Sequence, residues 1–449
     1  MRSESAGEWA THELRTLTRK VRSGATPRGG TAAYPATRDK YALVRSQNVF
    51  DHRFESNGLA FITDAQACDL AGAELEVNDV LLNITGDGVT FGRSCLVPSH
   101  VLPACVNQHV MLIRVNPARC VAGYLASWLT LPETKGYIES FNAGGSRRAI
   151  TKGHIEAFQV PLPPLHVQSS IAAFTDTINH RIDLLRQTNV TLESIAQAVF
   201  KSWFVDFDPV RAKAEGREPE SMDAVTAAMF PSEFEESALG LIPKGWMPGR
   251  FGDLAELAKG SVNPLATPEE KFEHYSLPAF DAGQLPIIER GESIKSNKTR
   301  VPFGAVLQSK LNPHIPRVWL PSKIGANAVC STEFLPWVAK PCASSELIYC
   351  TLTSRSFEAS VRTLVTGTSN SHQRVKPAQV AALELLLAPL NIVAAFTQVV
   401  RPLMSKVGEN RLTVSALAEL RDSLLPRLVS GKLRLPDAEE VLSREGVLA

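Results

Sequence analysis

A chain of 449 residues, 44% hydrophobic and 21% charged, has the composition of a globular protein with more than one core, or two to four domains at roughly 150 residues each. Its 29 prolines and 28 glycines are near average, which excludes collagen-like sequence and long disordered tracts. Lys plus Arg total 47 against 46 Asp plus Glu, a net charge of +1. The chain therefore lacks the open basic footprint of many nucleic-acid binders, and a DNA role must rest on local patches or on charge added by partners.

From the N-terminus, residues 1–20 carry charges throughout and no apolar core of a signal peptide. The seven cysteines are odd in number, with no C-x-x-C pair and no histidine at zinc-finger spacing. The expectation is a cytoplasmic protein with free thiols, no metal and no cofactor. The most apolar stretch, Val380 to Phe396, is interrupted by Glu384, Pro389 and Asn391, so no membrane span is expected.

The chain is written twice. Gly7-Glu8-Trp9, then Leu14 and Leu17, then Gly24-Ala25-Thr26-Pro27 return as Gly245-Trp246, Phe251-Gly252-Asp253-Leu254 and Gly260-Ser261-Val262-Asn263-Pro264. Further on, Gly144 to Ile150 and the run Gln159-Val160-Pro161-Leu162-Pro163-Pro164-Leu165 return as Gly367 to Val375 and Glu384 to Leu390. The offset is about 237 residues for the first features and about 223 to 225 for the later ones, too long for a solenoid repeat.

A helical pattern follows each proline-marked segment. In the first, apolar residues fall at Ile171, Phe174, Ile178, Ile182, Leu185, Leu192, Val199 and Trp203, with Asn189 and Ala196 filling the seam. In the second they fall at Ile392, Phe396, Val399, Leu403, Val407, Val414, Leu417 and Leu424, with Asn410 where Asn189 stands. Steps of three and four make a heptad-like seam, and roughly 38 helical residues would span about 57 Å. Pro402 and Gly408 predict a kink in the second helix. Matched seams in a duplicated chain suggest an antiparallel pair; two unrelated surface helices are the plainer alternative.

Two kinds of loop carry the cations and polar side chains that a nucleic acid would need at its phosphates and base edges. One holds Ser146, Arg147, Arg148 and Lys152, and its counterpart holds Asn370, His372, Gln373, Arg374 and Lys376. Arginine suits guanine, and Asn or Gln suits adenine. The other follows strand-like Asp79 to Ile84 and offers Thr85 and Arg93; its counterpart, after Ala305 to Gln308, offers Ser309, Lys310 and His314. Solvated surface loops and a plain Gly-Asp-Gly hairpin turn are the competing readings. For Arg38, Lys40, Arg45, Lys295, Lys298 and Arg300, ordinary surface charge is favoured over phosphate contact.

No catalytic constellation appears. Ser430-Gly431-Lys432-Leu433 lacks the spacing and hydroxyl of a phosphate loop, Gly86-Asp87-Gly88 lacks a dinucleotide fingerprint, and His12-Glu13 lacks the second histidine of a zinc-binding helix. No Asn-Pro-Pro-aromatic or Asp-Pro-Pro-aromatic segment suggests an adenine methyltransferase. Asp206-Phe207-Asp208-Pro209 reads as capping and packing at a helix end. Pro436-Asp437 reads as part of a frayed tail.

The run Ala198 to Lys213, which contains Phe200-Lys201-Ser202-Trp203-Phe204-Val205-Asp206-Phe207-Asp208-Pro209, resembles the central region of type I restriction–modification specificity subunits. So do Phe230 to Trp246, the Pro161 to Leu165 run with Gln168 and Ile171, and Ser423 to Leu433. The second copy departs from the pattern in lacking the glutamine, which puts equivalent docking surfaces in doubt.

The resemblance implies an α+β fold of two duplicated target-recognition domains separated by a pair of long antiparallel coiled-coil helices. The expected boundaries are 1–160 for the first domain, 161–208 for the central helix, 209–240 for a linker, 241–388 for the second domain, 389–435 for the C-terminal helix and 436–449 for a tail. It also implies a non-catalytic subunit that recognises a bipartite site in double-stranded DNA. Two methyltransferase subunits would dock through Phe200, Trp203, Phe204, Phe207, Leu424 and Leu428, and restriction/translocase subunits would join them. A nuclease or methyltransferase acting alone, and a scaffold using the helices only for protein assembly, are the alternatives from other classes.

Overall fold

The computed structural model describes residues 9–29, 33–86, 89–141, 148–365 and 373–444. It divides into two units, one formed by residues 1–183 with 415–449 and the other by residues 184–414. Each has a helix-and-sheet body and a share of two long helices, Leu165–Phe204 and Leu390–Val429.

In the first unit a short helix, Leu14–Leu17, leads into strand Thr18–Ser23. This strand is an edge of a four-stranded antiparallel sheet in which Val110–Val115 and Val80–Asn83 are central and Ser94–Leu96 is the other edge. Strand Val80–Asn83 is buried on both faces, which explains its unbroken apolar run. A three-stranded sheet (Tyr41–Val44, Ala60–Ile62, Ala104–Val106) completes the body, with Val44, Val49, Leu81, Val106 and Leu112 in the core.

The second unit repeats this plan. Helix Phe251–Leu254 leads into strand Ala255–Leu257, which edges a sheet of Phe334–Ala339, Val306–Ser309 and Val318–Trp319. A five-stranded sheet stands where the first unit has three strands. Leu17 and Leu254 end matching helices, 237 residues apart, and Leu165 and Leu390 begin the long helices, 225 apart. The two observed offsets are those of the sequence repeat.

Each body is closed by a two-stranded clasp. Thr11–Glu13 pairs antiparallel with Gln159–Pro161, and Met247–Arg250 pairs antiparallel with Glu384–Leu387. The proline-marked runs are thus the last strands before the long helices. Gln168, 1% exposed, brackets the turn: its Oε1 accepts from the Val121 amide at 2.9 Å, and its Nε2 donates to the Pro163 carbonyl at 2.8 Å. Val393, at the same offset of 225, is buried in the other unit. The glutamine missing from the second copy is therefore an internal bracket, which Val393 replaces with apolar packing.

The long helices run antiparallel within each unit. In the first, Arg421 donates to Asn179 at 2.8 Å, and Leu417, Leu424 and Leu428 are buried. In the second, Arg411 donates to Glu193 at 2.7 Å and Phe200 meets Phe396 edge-on. The C-terminal helix is continuous through Pro402 and Gly408. Gly408 permits close approach, since a Cβ there would lie 2.3 Å from Cβ of Ser322. The predicted seam needs one correction: Val399 is 44% exposed, while Val400 and Met404 are buried. An unwound heptad would choose Val399, but the unit's body covers a wider stripe than a two-helix seam.

Residues 209–240 hold helices Asp208–Ala214 and Ala224–Ala228 and the start of a hairpin, Phe234–Ser237 with Gly240–Pro243. Phe207 has a left-handed backbone (φ 56°) that turns the chain into helix Asp208–Ala214, and Asp206 is ion-paired with Lys201. Phe207 packs edge-on against Phe234 and Trp246, and among the described residues no side chain caps the helix it precedes. Residues Leu435–Arg444 form a helix rather than a frayed tail, with Ala438 fully buried. Gly431, φ 74°, ends the preceding helix against the Trp9 ring, as a C-cap glycine does. No helix among the described residues is long and apolar enough to cross a membrane.

Candidate nucleic-acid interface

The two candidate loops of the first unit are hydrogen-bonded to each other. Strand Thr85–Gly86 pairs antiparallel with Arg148–Ala149, in the register Arg148 opposite Gly86 and Ala149 opposite Thr85. The Ile150 amide then donates to the Ile84 carbonyl at 2.9 Å. The second unit repeats the ladder: Leu311 bridges Arg374, the Asn312 amide donates to the Gln373 carbonyl at 2.8 Å, and the Val375 amide donates to the Lys310 carbonyl at 3.0 Å. Positions 84 and 310 correspond, as do 150 and 375. Each body thus presents one composite ladder built from loops more than 60 residues apart in sequence.

Ser146, Arg147, Asn370 and His372 lie outside the described residues. Of the others, Arg148 reaches Glu139 at 2.9 Å, and exposed Lys152 faces Glu156 at 3.4 Å, one helical turn on. Arg374 grips Glu333 through both guanidinium arms, at 3.1 and 3.0 Å. This pairing holds the Glu333 carboxyl below its usual range, chiefly through the hydrogen bond. His314 and Lys376 are exposed, and Lys310 and Gln373 are half-buried beside the ladder. Exposed ion pairs of this kind contribute little to stability, so their arginines can exchange a carboxylate for phosphate at small cost.

One candidate is placed differently from expectation. Ser309 is 6% exposed and its hydroxyl is bound to the backbone of Leu311, so it shapes the turn instead of facing solvent. Arg93 lies over the Phe50 ring at 4.3 Å. Thr85 makes a contact that sequence patterns could not reveal: its Oγ1 lies 2.5 Å from His109 Nδ1, while Gln108 lies 3.1 Å from Nε2. His109 enters the site through a turn between two strands and carries no local motif.

Several other cations are structural. Arg38 donates to the carbonyl of Val101, Arg45 to that of Gly58 and Arg300 to that of Ala326. Lys298 is 8% exposed and bound to Ser296, and burial lowers its pKa.

The residues expected to meet partners directly are largely covered by the chain itself. Phe200 and Trp203 are 6% and 7% exposed in the second unit's core, where Trp203 packs edge-on against Phe230 at 5.2 Å. Phe204 packs tilted against Trp246 at 5.7 Å and Phe207 packs edge-on against it at 5.6 Å. Leu424 and Leu428 are buried in the first unit. An aromatic-rich motif reads alike whether it faces a partner or its own core, and here the core takes it. Beside it a cavity of about 270 Å³ is lined by Phe204, Val205, Phe357, Leu385 and Leu386, with Val205 40% exposed.

Residues 73–194 match the family model for the type I restriction modification DNA specificity domain. The specificity subunit of the type I restriction enzyme HindI from Haemophilus influenzae is 23% identical over 95% of this chain and 100% of its own length. That of MjaIX from Methanocaldococcus jannaschii is 22% identical over 70% of this chain and 69% of its own. The crystal structure of a type I restriction–modification S subunit from M. genitalium shares the fold, with a TM-score of 0.53 at 12% identity over 95% of this chain and 98% of that one. The specificity-domain match over residues 73–194 and the full-length similarity, with the shared fold beside them, all indicate a type I restriction–modification specificity subunit.

Proposed function

We propose that this chain recognises a bipartite site in double-stranded DNA, each unit reading one half through its ladder and the long helices fixing the unread spacer. It directs two methyltransferase subunits and the restriction/translocase subunits to that site in the cytoplasm, and carries out no chemistry itself. The observation that supports this reading best is the repeated ladder, Thr85–Gly86 with Arg148–Ala149 and Leu311 with Arg374. It sets a guanidinium on a fixed backbone twice in one chain, Arg148 and Arg374, with the Gln373 side chain beside the second, the geometry direct readout needs.

Mapping methylated adenines in host DNA tests it. One motif of two short elements separated by a fixed gap is the expected result, disappearing when the gene for this chain is deleted. A continuous motif, or methylation that persists in the deletion, overturns the reading. Replacing Arg147 and Arg148 with alanine in the assembled methyltransferase should weaken DNA binding. Unchanged affinity and salt dependence would remove that loop from the interface.

A further inference from the structure

The near-neutral charge of the whole chain conceals a concentration of cations on one edge of the first unit. Arg15, Arg19, Lys20, Arg22 and Lys152 line a groove of about 310 Å³ with Glu156 as its one lining carboxylate. Strand Thr18–Ser23 supplies three of the five. Lys20 and Arg22 share the strand face opposite buried Val21, about 6.6 Å apart for alternate residues of a strand.

Arg19 should point inward with Val21. It is exposed because the strand slips by one residue at this point: Thr18 pairs with Val115 and Lys20 with Arg114, leaving Arg19 as the extra residue of a bulge. Bulges re-aim side chains. Here the slip adds a third cation to the groove.

The charges facing this cluster do not neutralise it. Glu13 is taken by Arg15, and Glu156 by Lys152 at 3.4 Å. Across the strand, Arg114 adds a further cation, itself held by Asp79 and Glu76. Among the described residues neither Lys20 nor Arg22 has a carboxylate in ion-pair range. Clustered cations repel one another, which is tolerated where an anion completes the site.

The second unit lacks this cluster. Its matching strand, Ala255–Leu257, sits at the same edge of the same sheet. At the offset of 237, Arg15, Arg19, Lys20 and Arg22 become Gly252, Glu256, Leu257 and Lys259, and at the offset of 225 Lys152 becomes Pro377.

We infer that the first unit carries a phosphate-binding groove for the DNA backbone, made by Arg19, Lys20, Arg22 and Lys152, and that the second unit has no equivalent. The groove adjoins the reading ladder through the segment Arg148 to Lys152, so a duplex seated on the ladder extends its backbone across it. The two recognition units grip DNA unequally: the first supplies non-specific affinity, and the second depends more on its base contacts. This inference rests on the DNA-reading function proposed above.

The test uses the full chain assembled with its methyltransferase subunits and a fluorescent random-sequence duplex, titrated over a series of salt concentrations. Each phosphate contact contributes about 0.9 to the slope of log affinity against log salt. Arg19→Gln with Lys20→Gln and Arg22→Gln should flatten that slope by about 2 to 3. Lys20→Gln alone should flatten it by about 1, and Lys259→Gln should change it less than Lys20→Gln does. Arg19→Lys with Arg22→Lys should keep the wild-type slope, which separates loss of charge from loss of fold. An unchanged slope in both the triple variant and Lys20→Gln overturns the groove. Loss of methyltransferase co-purification with an unchanged DNA slope also overturns it and makes the surface a protein-docking site. A wild-type complex that binds no duplex sinks the DNA-reading function itself.

Discussion

Asn410 donates its side-chain amide to Asn189 Oδ1 at 2.8 Å inside the pair of long helices, and Asn189 in turn donates to the Val407 carbonyl at 3.2 Å. Both are buried, at 2% and 8% exposure. A polar pair in an apolar seam costs stability and rewards one alignment over its neighbours, since a slip of one turn would leave both amides unsatisfied. Asn410→Ala is expected to lower stability by about 1–3 kcal/mol, because it strands the Asn189 carbonyl oxygen. Replacing both asparagines with leucine should restore or exceed wild-type thermal stability while loosening register. Thermal melts of the three proteins check the first part. A blurred spacer in the methylation motif of cells carrying the double variant checks the second.

Trp203 distinguishes support from contact. Its indole lies in the second unit's core against Phe230 and Phe396. Trp203→Asp should cost at least the roughly 3–5 kcal/mol of losing a buried aromatic, and so reduce the soluble yield of the chain. Val205→Asp, on the exposed rim of the neighbouring cavity, should leave yield and melting unchanged and weaken methyltransferase co-purification. Normal co-purification of Val205→Asp would show that the methyltransferase does not dock at this rim.

His52 makes stability pH-dependent. Burial, then the positive charges of Arg421 and Lys135, push its pKa down to about 3 from an ordinary 6.5. The folded state thus resists a proton that the unfolded chain accepts between pH 6.5 and about 3. Stability is complete above that window and falls as pH drops through it, by at most about 1.4 kcal/mol per unit from this group. His52 has φ 62°, which asparagine tolerates. His52→Asn should therefore melt with a smaller decline between pH 7 and pH 5, the upper part of that window, than the wild type. Equal declines would exclude His52 as the cause.

Gly123 sets how closely the body of the first unit meets its long helix. A Cβ there would stand 2.9 Å from Cβ of Ala172. Gly123→Val should push helix Ala122–Leu129 off the long helix and destabilise the unit by about 1–3 kcal/mol, read as a lower melting temperature. Gly136→Ala, in the next helix with nothing within 4 Å, is the control and should match or exceed the wild type.

Much of the architecture was legible because duplication supplies an internal comparison. The helix starts after Pro164 and Pro389, the matched asparagines and both offsets follow from repeated local patterns that the folded chain keeps. The ladder joining residues 85–86 to 148–149 was not legible, since nothing local in either loop reveals a partner so distant in sequence. The same limit hid His109, whose ring meets Thr85 only after the sheet forms. Val399 was misjudged for Val400 because a heptad rule assumes one facing helix, whereas this helix also packs against a body. Ser309 looked available because a polar residue after a strand usually faces water; its hydroxyl instead closes a turn on Leu311.

The clasp between Thr11–Glu13 and Gln159–Pro161, and its twin between Met247–Arg250 and Glu384–Leu387, has an evolutionary consequence. The chain enters and leaves each recognition body at neighbouring points on adjacent strands. A body can therefore be excised between those strands and replaced by an unrelated one without rethreading either helix. Two crossovers in the gene, one at each side of a clasp, would give the enzyme a new target half while preserving its assembly.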